Sequence, residues 1–449
     1  MNIEHLYELY LAHPTITTDS RQCPEGSIFF ALKGTNFNGN RFTAKALEAG
    51  CAYAVVDAAE YAIATDSRYI LVPDVLGTLQ QLANYHRRQF KKPVIQITGT
   101  NGKTTTKELV ATVLSERFNV LYTQGNLNNH IGVPLTLLRL RSDHDIAVIE
   151  TGANHPGEIA FLTQIVQPDY GLITNVGHAH IEGFGSFEGV KKTKGELYDY
   201  LATHQDTRIF VNSSDATLLS MLQERHIELK DKCIAYTKDD SETCQPAITG
   251  KVLECNPFVK MCWGNGPMAT DEVQTHLIGA YNIDNLLAAA CVGCHFGVSE
   301  TQVCQALSNY VPSLGRSEYK KTAHNELIID AYNANLTSMH AALENFKRMT
   351  AEHKMLILGD MKELGADSEQ AHAQILQEAL TCHAEAIWLI GSEFAKAAAK
   401  MSVSEKQPIR LFDDIQAAKA ALLEEQPSGF LVLIKGSNST RLFEAVEGL

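Results

Sequence analysis

The sequence predicts an α/β protein with three domains, and three observations support this fold class. The chain has 449 residues, and at about 150 residues per domain this length is enough for three hydrophobic cores. Short apolar runs alternate with helical patterns along most of the chain, which is typical of a mostly parallel sheet covered by helices. The apolar run Val94–Thr98 leads through a glycine-containing turn directly into a helical pattern from Lys103.

The residues before Lys91 predict a small α/β N-terminal domain. Apolar runs at 27–32 and 52–56 predict strands, and residues 44–49 predict a short helix. A second helix is predicted from apolar residues that share one face: Leu76, Leu79, Leu82 and Ala83. We place the three domains at residues 1–90, 91–311 and 312–449.

The central domain repeats the order of strand and then helix. Its strands are predicted at Val94–Thr98, Ile146–Glu150, 170–175 and 209–212. Between Gln245 and Ile278 the pattern changes to short runs separated by Gly and Pro, which predicts antiparallel strands. A helix from about Asp284 closes this domain.

A third α/β unit follows residue 311. Its strands are predicted at 327–331, 355–358, Ala386–Ile390 and 431–434. Gly359 and Gly391 follow two of these strands, as in a doubly wound, Rossmann-like fold. No G-x-G-x-x-G fingerprint occurs, so the sequence does not support dinucleotide binding.

The composition excludes several classes of protein. A hydrophobic content of 45% and a charged content of 20% indicate a soluble globular chain. The formal net charge of −14 argues against a non-specific nucleic-acid binder, which needs a basic face. No apolar run approaches the roughly 20 residues of a membrane span, and the N-terminus lacks an export signal. We therefore expect a cytoplasmic protein with no membrane insertion and no nucleic-acid partner.

The ten cysteines show no disulfide-framework spacing, as expected of reduced thiols. Residues 291–295 match the C-x-x-C-H pattern of covalent haem attachment, which normally requires export. The pattern also falls within an apolar helical run, where cysteine acts as a small apolar residue. We interpret it as part of a buried helix.

The turn after Val94–Thr98 has the residues of a phosphate-binding loop (P-loop), which makes this a candidate mononucleotide-binding domain. Gly99 and Gly102 allow backbone N–H groups to point toward an anion, and the helix N-terminus adds partial positive charge. Lys103 would reach the β- and γ-phosphates, and the Thr104 hydroxyl would bind Mg²⁺. The strict pattern requires another glycine where this chain has Ile97. The alternative is an ordinary strand-to-helix turn with a solvated lysine.

Candidate metal ligands follow two other predicted strands. Glu150 ends an apolar strand, and a carboxylate beside a phosphate loop suits Mg²⁺, which takes few carboxylates together with phosphate oxygens and water. Its alternative role is to cap the following turn. His178 and His180 follow the next strand, and because imidazole is an unusual Mg²⁺ ligand, a surface-loop role is equally consistent with the sequence.

Three further groups have more than one interpretation from residue chemistry alone. The lysine-rich run 191–194 is typical of a solvated helical face. Asn282, Asp284 and Asn285 would either read an adenine edge or cap a helix. Asp330 ends a strand, where it would either bind a ribose or form a turn.

Taken together, these motifs resemble the Mur ligase family, whose members use ATP to extend the peptide of a peptidoglycan precursor. The resemblance covers nearly the whole chain. The family's loop is of the type T-G-T-N-G-K-T, which residues 98–104 match, and this explains the missing glycine. The other matches are Glu150 and the segments 125–129, 132–134, 175–180 and 194–196. One departure is Tyr281, where relatives often have histidine.

The resemblance implies roles for individual residues. The catalytic residues would be Lys103, Glu150, His180 and Lys194, and Lys194 matches a lysine that family members carbamylate. Mg²⁺ would be held by Thr104, Glu150, His180 and carbamylated Lys194. ATP would be bound by Gly99, Thr100, Asn101, Gly102, Lys103, Thr104, Thr105, Asn282, Asn285, Arg316 and Asp330. Substrates would be bound by Ser20, Arg21, Lys33, Gly34, Asn128, Asn129, Asn333, Asn335, Asp360, Lys435 and Ser437.

The segments 152–158, 330–335 and 358–365 look like one branch of the family. That branch implies an amide ligase, monomeric in our expectation, that joins D-alanyl-D-alanine to UDP-N-acetylmuramoyl-tripeptide through an acyl phosphate. It would bind the uridine nucleotide in the first domain and the dipeptide in the third. Three alternatives stay open: a sibling ligase that adds the third amino acid, a ligase like folylpolyglutamate synthase, and a nucleotide-binding regulator without turnover.

Overall fold

The computed structural model describes residues 2–178, 181–238, 246–265, 271–312, 315–401 and 408–449. Over these residues the chain forms three α/β units, each with its own sheet of mostly parallel strands. This confirms the predicted fold class, while the exact domain boundaries stay predictions. In the described part of the chain, no helix is both long and apolar enough to span a bilayer.

The first unit has a small parallel sheet covered by three helices. Its strands are β1 Ile16–Thr17, β2 Ile28–Phe30, β3 Lys33–Gly34, β4 Phe37–Asn38, β5 Tyr53–Val56 and β6 Tyr69–Leu71. Its helices are α1 Ile3–Ala12, α2 Thr43–Glu48 and α3 Val75–Gln89. The sheet order is β1-β2-β5-β6, and β3 and β4 form a separate antiparallel hairpin. Asp74 starts α3 by accepting hydrogen bonds from the N–H groups of Leu76 and Gly77.

The central unit has a nine-stranded sheet in the order β15-β14-β13-β12-β11-β10-β7-β9-β8. Its strands are β7 Val94–Thr98, β8 Val120–Tyr122, β9 Ile146–Glu150, β10 Tyr170–Ile173, β11 Arg208–Asn212, β12 Cys233–Thr237, β13 Ile248–Cys255, β14 Phe258–Asn265 and β15 Asp271–Ile278. Its helices are α4 Lys103–Ser115, α5 Gly132–Leu137, α6 Glu158–Val166, α7 Ile181–Phe184, α8 Phe187–Thr203, α9 Ala216–Gln223, α10 Leu229–Lys232, α11 Ile283–His295 and α12 Glu300–Asn309.

The pairing in this sheet changes direction where the sequence predicts a change. Strands β7 to β13 pair in parallel, whereas β13, β14 and β15 pair antiparallel. The predicted start of that region, Gln245, lies outside the described residues. Every residue of β7 and β9 is buried, because elements pack on both faces of the sheet, and this explains their strongly apolar sequences.

The third unit has a six-stranded sheet in the order β16-β17-β21-β18-β19-β20. Its strands are β16 Glu318–Lys321, β17 Glu326–Asp330, β18 His353–Gly359, β19 Ala386–Ile390, β20 Ile409–Phe412 and β21 Phe430–Lys435. Its helices are α13 Leu336–Arg348, α14 Ser368–Leu380, α15 Ser392–Lys400 and α16 Ile415–Glu425. All pairs are parallel except β16 with β17.

The cysteine run 291–295 belongs to the hydrophobic core, as interpreted from the sequence. Cys291 is buried within α11, and Cys294 packs against the same cluster. In the ranges that the structure describes, all cysteines are free thiols.

The first and central units share one core. Leu79 and Leu82 of α3 belong to the same buried cluster as Leu137 of α5 and Leu162 of α6. Polar contacts complete the junction at Arg87. Its guanidinium donates to the carbonyl oxygens of Phe90, Val166 and Gln167 and to Asp169 Oδ2 at 2.7 to 3.0 Å.

The first prediction is that Arg87→Met destabilises this junction. The methionine can fill the buried space, but three carbonyl groups lose their donor, so we expect a loss of about 3 kcal/mol. Chemical denaturation monitored by fluorescence would measure the loss. The neighbouring Arg88 is exposed, and Arg88→Met is the matched control that should unfold like the wild type. Equal stability of the two variants would contradict the assigned role of Arg87.

Candidate functional site

The loop between β7 and α4 has a shape that favours glycine at two positions. Gly99 has φ 142° and Gly102 has φ 77°, where other residues are strained. A Cβ at Gly99 would lie 2.0 Å from Thr174 Oγ1, and one at Gly102 would lie 2.6 Å from Asn285 Oδ1. The two glycines are therefore required for both backbone conformation and space.

The loop is tied to the end of β10. The N–H of Thr100 donates to the Asn175 carbonyl at 2.9 Å, and the N–H of Asn101 donates to Asn175 Oδ1 at 3.0 Å. Lys103 then starts α4, and its Nζ donates to the Thr100 carbonyl at 2.8 Å. The loop is thus held in place by protein contacts at the N-terminus of α4, an arrangement suited to an anion.

Lys103 is half-buried in the mouth of this loop. Its withdrawal from water lowers the pKa of its ammonium group; Glu150 opposes this effect, and the positive charge of Arg316 adds to it. Arg316 comes from the third unit, so two cations from different domains line the same cavity.

Glu150 is a buried carboxylate with one free oxygen. It is 1% exposed, and its Oε1 accepts from Thr104 Oγ1 at 3.1 Å and from Asn128 Nδ2 at 2.8 Å. Its Oε2 is buried and has no hydrogen-bond partner among the residues that the structure describes. Such an oxygen is costly to bury unpaired, and a cation would satisfy it. The described residues contain no cluster of three or more His, Cys, Asp and Glu side chains. The carboxylate of Glu150 and the hydroxyl of Thr104 suit Mg²⁺, which takes few carboxylates together with phosphate oxygens and water.

The two histidines predicted beside this carboxylate have different outcomes. His180 lies outside the described residues. His178 is exposed, and its ring stacks on Phe187 with the ring centres 4.9 Å apart.

The interpretation of the lysine run as a solvated face is wrong for Lys194, although Lys192 is exposed. Lys194 is 2% exposed, and in the described part of the chain its Nζ has no hydrogen-bond or ion-pair partner. Its Nζ lies 5.5 Å from the centre of the Phe184 ring. Burial is the main reason that the pKa of Lys194 is lowered to about 7. The positive charge of Lys103 also lowers this pKa, whereas the negative charges of Glu158 and Glu196 raise it.

Lys194 is buried because of its position on α8. The buried residues of this helix recur with helical periodicity and include Val190, Thr193, Lys194, Leu197, Tyr198 and Leu201. Lys194 therefore occupies a core-facing position of an amphipathic helix. That periodicity is present in the sequence, and it could have shown that Lys194 faces the core whereas Lys192 faces solvent.

The asparagines at the start of α11 do not cap the helix with their side chains. The Asn282 side chain makes no capping bond and donates instead to the Ile278 carbonyl at 2.8 Å. Asn285 Nδ2 donates to Asn282 Oδ1 at 2.8 Å, and Asn285 Oδ1 accepts from Thr106 Oγ1 at 2.9 Å. These amides link β15, α11 and α4, because tertiary contacts replace the local cap.

The third unit provides the opposite wall of the site. The Arg316 guanidinium lies over the Tyr332 ring, 3.6 Å from its centre. Its Nε is buried, and no described residue forms a hydrogen bond with it. Asp330 forms an ion pair with Lys435 and accepts from the N–H of Ser317 at 3.3 Å. The two walls enclose a cavity of about 720 Å³.

Most of the predicted nucleotide residues line this cavity together with part of the predicted substrate set. They are Thr100, Asn101, Gly102, Lys103, Thr104, Thr105, Asn128, Asn129, Glu150, Asn282, Asn285, Arg316, Asp330, Asn333 and Lys435. Sequence reasoning named no site residue in the turn before α6, yet Asn154, His155 and Glu158 line the same cavity. Their position in the sequence could have indicated this role, because the turn directly follows β9 and therefore lies at the same edge of the sheet as Glu150.

Other predicted substrate residues lie elsewhere. Ser20, Arg21, Lys33 and Gly34 belong to the first unit, where Lys33 forms a 2.7 Å ion pair with Asp57.

In the third unit, Asp360 is 2% exposed and accepts from the N–H groups of Glu393 and Phe394 at the start of α15. Asn335 bridges two domains, and Ser437 Oγ pairs with Ser439 Oγ at 2.7 Å.

Each of the three units matches a known family of protein domains. Residues 14–87 match the Mur ligase family, catalytic domain; residues 97–293 match the Mur ligase middle domain; and residues 315–438 match the Mur ligase, glutamate ligase domain. The chain is 33% identical to UDP-N-acetylmuramoyl-tripeptide–D-alanyl-D-alanine ligase of Escherichia coli (strain K12), over 97% of this chain and 93% of that protein. It is 31% identical to the ligase of the same name from Bacillus subtilis (strain 168), over 99% and 94%.

The fold is also that of solved members. The structure of MurF from Acinetobacter baumannii superposes with a TM-score of 0.84 at 29% identity, over 98% of this chain and 97% of that chain. With three matching domains and relatives similar over nearly its full length, the chain belongs to the Mur ligase family.

Proposed function

We propose that this protein is an ATP-dependent amide ligase that joins D-alanyl-D-alanine to UDP-N-acetylmuramoyl-tripeptide in peptidoglycan precursor synthesis. The observation that carries the proposal is the cavity between the phosphate loop and the Arg316 wall, which is lined by Lys103 and Glu150. Among the described residues, Oε2 of Glu150 has no hydrogen-bond partner. The substrates are those in the names of the Escherichia coli and Bacillus subtilis relatives.

In this proposal the loop binds the phosphates of ATP. Backbone N–H groups at the start of α4 and the Lys103 ammonium would contact them, and Lys103 would exchange its bond to the Thr100 carbonyl for phosphate oxygens. Arg316 approaches the same region from the third domain, and its stacking on Tyr332 fixes the guanidinium plane. Asp330, already paired with Lys435, keeps acceptor capacity for a ribose hydroxyl.

The chemistry would proceed in two steps. The tripeptide carboxylate attacks the γ-phosphorus, ADP leaves, and an acyl phosphate forms. The dipeptide amine then attacks the acyl carbon, loses a proton, and expels phosphate to give the amide. The first step brings two anions together, so Lys103 and Arg316 would lower its barrier by neutralising phosphoryl oxygens and holding the reactants in line.

The residues present fit a bound Mg²⁺. Thr104, Glu150 and a carbamylated Lys194 would hold it, and His180 stays a predicted ligand outside the described residues. When bound, the ion would neutralise phosphoryl charge beside the loop.

The second prediction concerns Glu150→Gln, which keeps the shape of the side chain and removes its charge. We expect Mn²⁺ binding in the presence of ADP, followed by electron paramagnetic resonance, to weaken at least about tenfold. Without metal the unfolding temperature should not fall, because the variant buries no charge. Metal binding like that of the wild type would remove Glu150 from the ligand set.

Phosphate release against a panel of substrates tests the proposed function. The purified protein should release phosphate only when ATP, UDP-N-acetylmuramoyl-tripeptide and D-alanyl-D-alanine are all present. A UDP-muramoyl dipeptide with lysine or diaminopimelate would reveal the sibling activity, and a folate with glutamate would reveal the folate ligase. Nucleotide binding without release under any combination would favour the regulator.

A further inference from the structure

The phosphate loop and the third domain are joined by a direct contact between two side-chain amides. Asn335 Nδ2 donates to Asn101 Oδ1 at 2.8 Å, although 234 positions separate the two residues in the chain. Asn335 is 4% exposed and Asn101 is half-buried, so the bond is partly shielded from water. This contact connects the residues that would hold ATP to the domain that would hold the dipeptide.

The loop side of this contact is fixed by the central domain. The N–H of Asn101 donates to Asn175 Oδ1, while its carbonyl accepts from Thr174 Oγ1 at 2.7 Å and from Asn175 Nδ2 at 3.0 Å. With its backbone groups committed to the end of β10, Asn101 has its side chain free to reach the third domain. The position of the Asn101 side chain therefore depends on the conformation of the phosphate loop.

The third-domain side is fixed by helix capping. Asn335 precedes α13, its Oδ1 accepts from the N–H of Ser338 at 2.9 Å, and its own N–H donates to Ser338 Oγ at 3.1 Å. Because the cap requires the oxygen, the nitrogen must face Asn101, and the direction of the bridge is determined by the network. The bridge thus aligns α13 with the loop.

Three segments of the chain meet beside this bridge. A Cβ at Gly177 would lie 3.3 Å from Thr337 Oγ1 and 3.5 Å from Thr100 Cγ2, so the turn after β10, the loop and the first turn of α13 meet there. Asn333 lies two residues before the bridge, and it and Tyr332 belong to the wall of the cavity. A shift of α13 would therefore move that wall relative to Lys103.

We propose that Asn335 is a positioning residue, whose bridge to Asn101 holds the third domain in register with the phosphate loop. Loss of the bridge would leave the central nucleotide site intact and misplace the wall that receives the amine substrate. The kinetic part of this inference rests on the proposed function.

Asn335→Ser tests the bridge without removing the cap. Serine is a good N-cap residue, so Ser338 keeps an acceptor, but its side chain is too short to reach Asn101. Asp414→Ser is the matched control, because Asp414 caps α16 in the same domain through the N–H of Ala417 at 2.9 Å and is exposed. Both variants should unfold at the wild-type temperature.

We expect Asn335→Ser to raise KM for D-alanyl-D-alanine roughly tenfold or more with little change in KM for ATP, since a small misplacement is costly in a preorganised site. Small-angle X-ray scattering of the unliganded variant should show a larger radius of gyration than for the wild type. Asp414→Ser should match the wild type in both measurements.

Wild-type KM for the dipeptide and an unchanged radius of gyration in Asn335→Ser would overturn the inference. So would an equal rise in KM for all substrates together with a lower unfolding temperature, which would indicate a purely structural role. If the wild-type protein does not ligate these substrates, the proposed function fails, and the scattering comparison still decides whether the bridge aligns the domains.

Discussion

Lys103→Ala should reduce turnover on the order of a thousandfold, which corresponds to about 4 kcal/mol of lost transition-state stabilisation. The reason is the position of Lys103 at the start of α4, half-buried between a preformed loop and the Arg316 wall. Within the described part of the chain its ammonium makes one hydrogen bond, to the Thr100 carbonyl, which leaves two of its three N–H groups for phosphate oxygens. Steady-state phosphate release with all three substrates would measure the loss.

The same variant should keep its stability, because Lys103 lines the cavity and lies outside the hydrophobic clusters of the central unit. Lys91→Ala is a suitable control, since Lys91 is an exposed lysine at the junction before β7. Turnover of Lys103→Ala close to that of the Lys91 control would contradict the proposed phosphate contact. A large fall in unfolding temperature would assign Lys103 to the fold.

The strands of the central sheet could be predicted because their pattern is local. Val94–Thr98 and Ile146–Glu150 are strongly apolar runs with polar ends, and the structure places both with the predicted bounds. The change to antiparallel pairing was predicted from turn residues for the same reason. At the site, the glycines of the loop and the carboxylate at the strand end also carry a local signal.

Contacts between distant segments could not be predicted in this way. The amide chain of Asn282 and Asn285 replaced the expected cap because β15 and α4 offer partners that the local sequence does not contain. The stacking of Arg316 on Tyr332 likewise depends on the folding of the third unit, and the bridge from Asn335 to Asn101 depends on how two domains meet. Local sequence patterns indicate which residues are polar at a sheet edge, but their partners follow from tertiary packing.

The burial of Lys194 has a local signal in the sequence, but its chemical environment depends on tertiary packing. That environment leads to a prediction about the chemistry of Lys194. Forming a carbamate requires the neutral amine, and burial lowers the pKa of Lys194 to about 7, so a large fraction is neutral near pH 7. Lys194 is buried and forms no ion pair with any residue that the structure describes, which makes its cationic form unfavourable. As a carbamate it would offer the oxygen ligands that Mg²⁺ prefers.

We therefore expect both Lys194→Ala and Lys194→Arg to lose at least about a hundredfold in turnover. Arginine keeps the positive charge but cannot carry the carbamate, and a permanent cation beside Lys103 would be repelled. Lys192→Ala is the matched control, because Lys192 is exposed on the same helix and should be dispensable.

Two measurements distinguish a carbamate from a lysine that only fills space. Formate or acetate should partly restore Lys194→Ala by supplying carboxylate oxygens in the vacated volume, and should leave Lys103→Ala inactive. Carbon-13 NMR of wild-type protein with labelled bicarbonate should show a carbamate signal that is absent from Lys194→Arg. Wild-type turnover in Lys194→Arg, or full activity after removal of CO₂ without that signal, would show that the buried amine acts unmodified. In that case its role would be to pack against Phe184, and Mg²⁺ would have to rely on Glu150, Thr104 and phosphate oxygens.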